Sequence, residues 1–288
     1  MVDLHTHTNH SDGTWPLIQL LTEAEKVGIT TLSVTDHDTV DAYFEMKKIN
    51  IKDFYNGKLI TGAEFNVMFN NSKVELLGYG FDVDKINEWI KKTYTKEKYS
   101  PNLDEEFKLL VDACKRNNIK IDDDLSYSKD IGWPIDIVFA SLKKYGENKK
   151  IFTDKEWNDC DHFFRCCTCN IDFPLYMNFS NQAPDALDVS NMIRACGGKV
   201  FLAHLFTYPL RNYETYLDKL REANIIDGIE AYYSKFSNSE ISFIEKYCDK
   251  YKLLKSGGTD CHGMKKPDRK IGVGYDNMNI KEEMIDWI

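Results

Sequence analysis

At 288 residues with a formal net charge of −9, the chain can bury a substantial core, and one large domain with an insertion is the default expectation. The acidic balance argues against general nucleic-acid affinity, which needs Lys and Arg massed against phosphates, although a bound metal cluster would invert the field locally. With no run of about 18 apolar residues, an opening Met1-Val2-Asp3-Leu4-His5 that lacks leader character, and eight cysteines without framework spacing, the expectation is a soluble, cytoplasmic protein with reduced thiols, no membrane association and no obligate protein partner.

The first short apolar stretch, Val2 to Leu4, reads as a buried strand and runs into His5-Thr6-His7, with Asp12 just beyond. Two histidines two apart on a strand present both imidazoles on one face, where they can share one metal, though such a pair also occurs without metal. Leu17, Leu20, Leu21, Ala24 and Val27 follow at helical spacing behind Pro16 and stop at Gly28. The strand Thr31 to Val34 then delivers Asp36-His37-Asp38: His37 is a ligand candidate, Asp36 or Asp38 is placed to orient an imidazole, and for Asp38 capping of the next helix is the commoner use.

A third strand, Leu59 to Thr61, leads to Glu64, whose two oxygens suit a bridge between metals; alone it would read as a salt-bridged rim glutamate. Asn70-Asn71-Ser72 is too short for a parallel crossover and predicts a hairpin into Val74 to Leu77, distorting any barrel there. Residues 84–190 carry dense charge, scattered aromatics and helical patterns, and read as an inserted, mostly helical subdomain. Within it Cys160, Cys166, Cys167 and Cys169 crowd beside His162, but the spacing suits no common zinc module and free, partly buried thiols are expected.

The alternation then resumes with strands at Val200 to Ala203, Ile226 to Ile229 and Leu253 to Leu254, and a helical pattern through Ile241, Ile244, Cys248 and Tyr251. His204 closes one strand; Asp260 and His262, again two apart, close another behind Gly257-Gly258. Strands alternating with helices predict a parallel α/β sheet or barrel over residues 1–83 and 191–288, with functional side chains at the C-terminal strand ends. Five strand-end clusters of His, Asp and Glu point to metal.

These motifs, D-L-H-T-H-T-N-H-S-D-G, T-D-H-D-T, G-A-E, L-L-G-Y-G-F-D, A-H, D-G-I-E-A-Y and S-G-G-T-D-C-H-G, resemble the polymerase and histidinol phosphatase (PHP) superfamily, in its branch of stand-alone nucleotide phosphoesterases and 5′-to-3′ exoribonucleases. The resemblance implies a distorted seven-stranded β/α barrel and a cofactor set of two to three divalent ions, Mn, Fe or Zn. It implies that His5, His7, Glu64 and Asp260 hold one ion and that Asp12, His37 and His262 hold another, Glu64 bridging to a third with His204. His37, His204 and Asp260 are the residues expected to take part in catalysis.

Glu75 stands where the family has a histidine, which favours harder ions over Zn²⁺ if it coordinates. An R-P-H element that relatives use for phosphate is absent, the comparable stretch reading Gly132-Trp133-Pro134-Ile135-Asp136. Arg194 and Arg211 are therefore candidates for phosphate and Tyr232 for the pocket wall, with Arg165, Lys235, Arg269 and Tyr233 alongside. The implied activity is hydrolysis of a small phosphorylated substrate, a nucleotide or a short RNA or DNA end, by metal-activated water. The alternatives are a small-metabolite phosphatase, such as one for histidinol phosphate, or a metal-containing binding or regulatory module that has lost catalysis.

Overall fold

Seven strands pair strictly in chain order: β1 (Val2–Asp3), β2 (Thr31–Val34), β3 (Lys58–Phe69), β4 (Ser72–Tyr79), β5 (Lys199–Leu202), β6 (Gly228–Tyr233) and β7 (Leu254–Gly258). The computed structural model describes residues 1–288 except 71, 96–102, 129–132, 171–172, 178–182, 209, 211 and 274–278. β4 is antiparallel to both β3 and β5, and the other neighbours are parallel. The first and last strands meet through Leu4 N to Gly257 O (3.1 Å), Asp260 N to His5 O (2.7 Å) and a Thr6–Cys261 bridge. The sheet is thus a nearly closed barrel, distorted where the hairpin reverses one strand.

The helix Leu17–Val27 begins behind Pro16, where a missing amide costs nothing, and stops at Gly28, which adopts φ 80°. Its buried face is Leu17, Leu20, Leu21 and Ala24; Val27, expected on that stripe, is exposed. Ser237 and Glu240 form a reciprocal cap on the helix Asn238–Tyr251, whose Ile241, Ile244, Tyr247 and Cys248 are buried.

β3 extends well beyond Leu59 to Thr61. After β2 ends at Val34, the backbone of β3 finds new partners in a single bridge from His37 to Glu64 and in the whole length of β4. Glu64 is consequently held inside a strand, paired with Leu77, and Glu75 pairs with Asn66 one step further along the same face. The antiparallel turn is what brings the start of β4, and with it Glu75, to the end of the barrel where the parallel strands finish.

A second cluster of buried residues draws on Phe107 to Ala183, including Phe139, Phe152 and Phe163, and reaches Met68 on β3. The helices at both junctions, Val83–Thr93 and Ala186–Ala195, instead bury Ile86, Ile90, Val189 and Ile193 in the barrel core. No helix among the described residues is long and apolar enough to cross a membrane.

Candidate metal centre

At the end of the barrel where the parallel strands finish, the side chains singled out in sequence converge. Glu64 Oε2 lies 3.1 Å from His5 Nε2, 3.2 Å from His7 Nε2 and 3.4 Å from His37 Nε2. Asp260 Oδ1 lies 3.2 Å from His7 Nε2, and Asp12 Oδ1 lies 3.1 Å from His262 Nε2. Three overlapping sets come close enough to hold an ion: His5, His7, Glu64 and Asp260; His7, Asp12, His37 and His262; and His37, Glu64 and Glu75. His204 faces the third, with Nε2 3.0 Å from Glu64 Oε1 and 3.3 Å from Glu75 Oε2.

The fit to cations can be tested on unsatisfied atoms. Both ring nitrogens of His7, Nδ1 of His37 and Oδ1 of Asp12 are buried without a hydrogen-bond partner. Orphaned buried donors and acceptors are costly. Imidazole and carboxylate atoms that crowd a common point without bonding one another are the donor set a divalent ion would satisfy.

Backbone geometry holds the set in place. His204 (φ 28°) and Asp260 (φ 55°) occupy the left-handed region, which non-glycine residues adopt only where surrounding structure enforces it. Gly258 lets β7 approach β1: a Cβ there would stand 2.4 Å from both N and Cβ of His5. The buried Asp3 carboxylate accepts from Thr259 N (2.9 Å), Thr259 Oγ1 (2.7 Å) and Gly272 N (3.0 Å), anchoring the turn that carries Asp260.

Sequence reasoning assigned no role to Glu230. Fully buried on β6, it pairs with His5 Nδ1 at 2.8 Å and accepts from His204 N at 2.8 Å, so the Nε2 of His5 is the nitrogen turned to the cluster. Asp36 orients no imidazole; it accepts from Thr8 N, Thr8 Oγ1 and Ser11 Oγ. Asp38 does not cap the next helix, whose cap position is Val40. Its carboxylate instead grips Asn66 N (2.8 Å) and Nδ2 (2.7 Å) on β3, because its own backbone has turned to φ 53°. His10 pairs with Glu45 and stays outside the three sets.

The charges balance across the cluster. Burial disfavours charge on His7, but Asp260 and Glu64 outweigh it and push the imidazole up to about 9. His5 is raised in the same way by Glu64, Glu230 and Asp260. Against burial, imidazole charge holds Glu64 and Asp260 well below the usual carboxylate range. Against burial, the neighbouring imidazoles of His262, His7 and His37 lower Asp12, while Arg165 brings Glu75 down to about 2 despite burial.

Above the cluster opens a cavity of about 520 Å³, lined on its cationic side by Arg165, Lys235, Lys265, Lys266 and Arg269. Two of the three residues favoured in sequence for substrate lie elsewhere. Arg194, at the end of the helix leading into β5, sits at the opposite mouth of the barrel and clamps Asp227 through Nε (3.1 Å) and Nη2 (2.9 Å). Tyr232 points outward to Glu245 (3.0 Å), and Tyr233 faces the site, donating to Asp260 Oδ2 (2.9 Å). A register shift between Glu230 and Tyr232 reverses the alternation, so the side that Glu230 faces is regained at Tyr233. Arg211 lies outside the described residues.

All eight cysteines are free. Among the described residues none of Cys160, Cys166, Cys167 and Cys169 joins a converging ligand set. Cys166 Sγ sits 3.3 Å from His162 Nε2.

Residues 3–121 match the PHP domain. Over 81 residues the chain is 31% identical to the 5′-3′ exoribonuclease Rnm of Escherichia coli, a stretch covering 28% of each protein. It is likewise 31% identical over 84 residues to the 5′-3′ exoribonuclease of Haemophilus influenzae. The alignment with these curated relatives thus spans little more than a quarter of their length. Two solved structures share the fold over nearly the whole chain. One, from Bifidobacterium adolescentis and assigned as a metal-dependent phosphoesterase, gives a TM-score of 0.61 at 20% identity, covering 97% of this chain and 92% of its own. The other, an amidohydrolase from Chromobacterium violaceum with bound sulfate, gives 0.62 at 19%, covering 96% and 93%. His204, Glu230, Asp260 and His262 fall outside the matched PHP segment and reach the site through the fold.

Proposed function

We propose that this protein is a metal-dependent phosphoesterase that hydrolyses phosphate esters of nucleotides or short oligonucleotide ends. The observation that carries this reading is the nest of eight converging candidate ligands, with orphaned imidazole nitrogens, opening into a cavity with a cationic wall. His5, His7, Glu64 and Asp260 would hold one ion, and Asp12, His37 and His262 a second. Glu64, with one oxygen toward His5, His7 and His37 and the other toward His204, would extend to a third with Glu75 and His204.

Divalent ions bound there would supply Lewis acidity, a water of lowered pKa and neutralisation of charge on the phosphoryl oxygens. An additional carboxylate at Glu75 favours Mn²⁺ or Fe²⁺ over Zn²⁺. The chain itself orients the ligands through Glu230, Asp3 and Tyr233. Arg165, Lys266 and Arg269 supply donors to the incoming phosphate, in place of the absent R-P-H element. The PHP match and the exoribonuclease relatives support the same reaction class.

The test is phosphate release from nucleoside monophosphates, a nucleoside 3′,5′-bisphosphate, short RNA and histidinol phosphate, with Mn²⁺ or with chelator, for wild type and His7→Ala. Turnover that needs the metal and vanishes in His7→Ala is expected. Tight metal binding with no turnover of any ester would overturn the reading and favour a binding module.

A further inference from the structure

A second cavity, of about 300 Å³, lies beside the first and shares Glu75 and Arg165 with it as a common wall. That volume is at the small end of ligand-sized pockets. Its chemistry differs from that of the metal-bearing cavity: Phe164, Tyr208, Leu210 and Tyr216 supply broad apolar and aromatic faces, and Lys73 and Lys219 supply positive charge.

Two features mark this cavity as more than a packing gap. The Tyr216 hydroxyl is buried without a hydrogen-bond partner, although its ring is well seated, packing edge-on against Phe69 at 5.7 Å. A buried hydroxyl is normally satisfied, and one that lines a cavity is free to bond an occupant. Arg165 sits at the junction. Its guanidinium lies 3.4 Å from Glu75 Oε2 and 5.9 Å from the Tyr208 ring centre. It is delivered by a π-helical turn, Phe164–Thr168, which places Phe164 in the second cavity while Arg165 touches both. Irregular turns of this kind are frequent where a chain builds a functional site.

We propose that this second cavity is the ring subsite of the same active site, taking the nucleobase of a substrate whose phosphate lies across Arg165 in the metal-bearing cavity. Stacking faces beside an unpartnered hydroxyl accept a flat heteroaromatic ring without demanding one particular base. The positive charge at Lys73, Arg165 and Lys219 suits an anionic nucleotide better than a neutral ring compound. This assignment rests on the phosphoesterase reading for its choice of ligand, but it can be measured without turnover.

The experiment is titration calorimetry of the Mn²⁺-loaded protein with the non-hydrolysable methylene-phosphonate analogues of AMP and of ribose 5-phosphate, for wild type and Tyr216→Phe. The wild type is expected to bind the AMP analogue at least about tenfold more tightly than its ring-less counterpart. Tyr216→Phe should reduce that preference severalfold and leave the ribose 5-phosphate analogue unchanged. Equal affinity for the two analogues, failure of both to bind, or a preference untouched by Tyr216→Phe would overturn the ring subsite. Ring-dependent binding in a protein that releases no phosphate from AMP would remove the phosphoesterase reading and leave the subsite standing. Thermal unfolding of the variant separates a folding defect from loss of the contact, since removing an unpartnered hydroxyl should not lower its stability.

Discussion

Glu230→Gln isolates what orientation of a candidate ligand contributes to metal binding at this site. Each carboxylate oxygen of Glu230 serves a different donor, Oε1 the His5 Nδ1–H and Oε2 the His204 amide, both at 2.8 Å. The glutamine amide fills the same volume but offers one acceptor oxygen, so its NH₂ must oppose one of those two N–H groups in a fully buried site. Leaving one buried donor unmet costs about 1–3 kcal/mol. That corresponds to roughly ten- to a hundredfold in an equilibrium constant, the range seen when partners of ligating histidines are removed. Mn²⁺ affinity, measured by equilibrium dialysis with metal analysis, should fall by that factor while the circular dichroism spectrum is retained. Binding within twofold of wild type would refute the view that Glu230 orients His5 and His204 for coordination.

Metal-free protein should lose thermal stability as pH rises. His7 is raised to about 9 in the fold, so its contribution is complete below about 6.5, the ordinary histidine value, and is lost as pH climbs through about 9. Melting temperature measured in chelator should fall across that window, and a flat or rising profile would contradict the charge balance. Gly258→Ala, whose methyl would stand 2.4 Å from His5 N and Cβ, should destabilise the fold by at least ~1–3 kcal/mol in denaturant unfolding; wild-type stability would show that β1 and β7 can part without cost. Tyr233→Phe removes the bond to Asp260 and should lower kcat/KM by about fivefold, from ~1 kcal/mol for one hydrogen bond. Tyr232→Phe, facing Glu245, should leave activity unchanged, and the reverse ranking would place the bulge incorrectly.

The candidate ligands were legible in sequence because barrel strands of fixed period deliver their terminal residues to one rim. His5 and His7, two apart, reach the same oxygen of Glu64, as period-two alternation requires. Tyr232 shows where that logic stops: one extra residue in β6 inverts the alternation, and neither composition nor spacing around Ala231 announces it. Arg194 was misplaced because a helix end alone does not say which mouth of the barrel it meets. Glu75 stood in a hairpin strand, and the sequence left open whether it turns to the cluster. Its partners, Arg165 at 3.4 Å and His204 at 3.3 Å, lie 90 and 129 positions away, and only the folded chain brings them together.

By itself, then, the sequence determined the α/β alternation, the antiparallel pairing of β3 with β4, the helix bounded by Pro16 and Gly28, and the histidines and carboxylates available at the strand ends. These are local or periodic properties, set by backbone geometry and burial within a few residues. Tertiary structure alone decided that Glu230 and Asp3 hold the candidate ligands in place, that Tyr233 and not Tyr232 faces the site, and that a π-helical turn, Phe164–Thr168, carries Arg165 over the candidate metal centre. Those depend on register shifts, crossing of distant strands and the docking of one hydrophobic cluster on another, which no local pattern encodes.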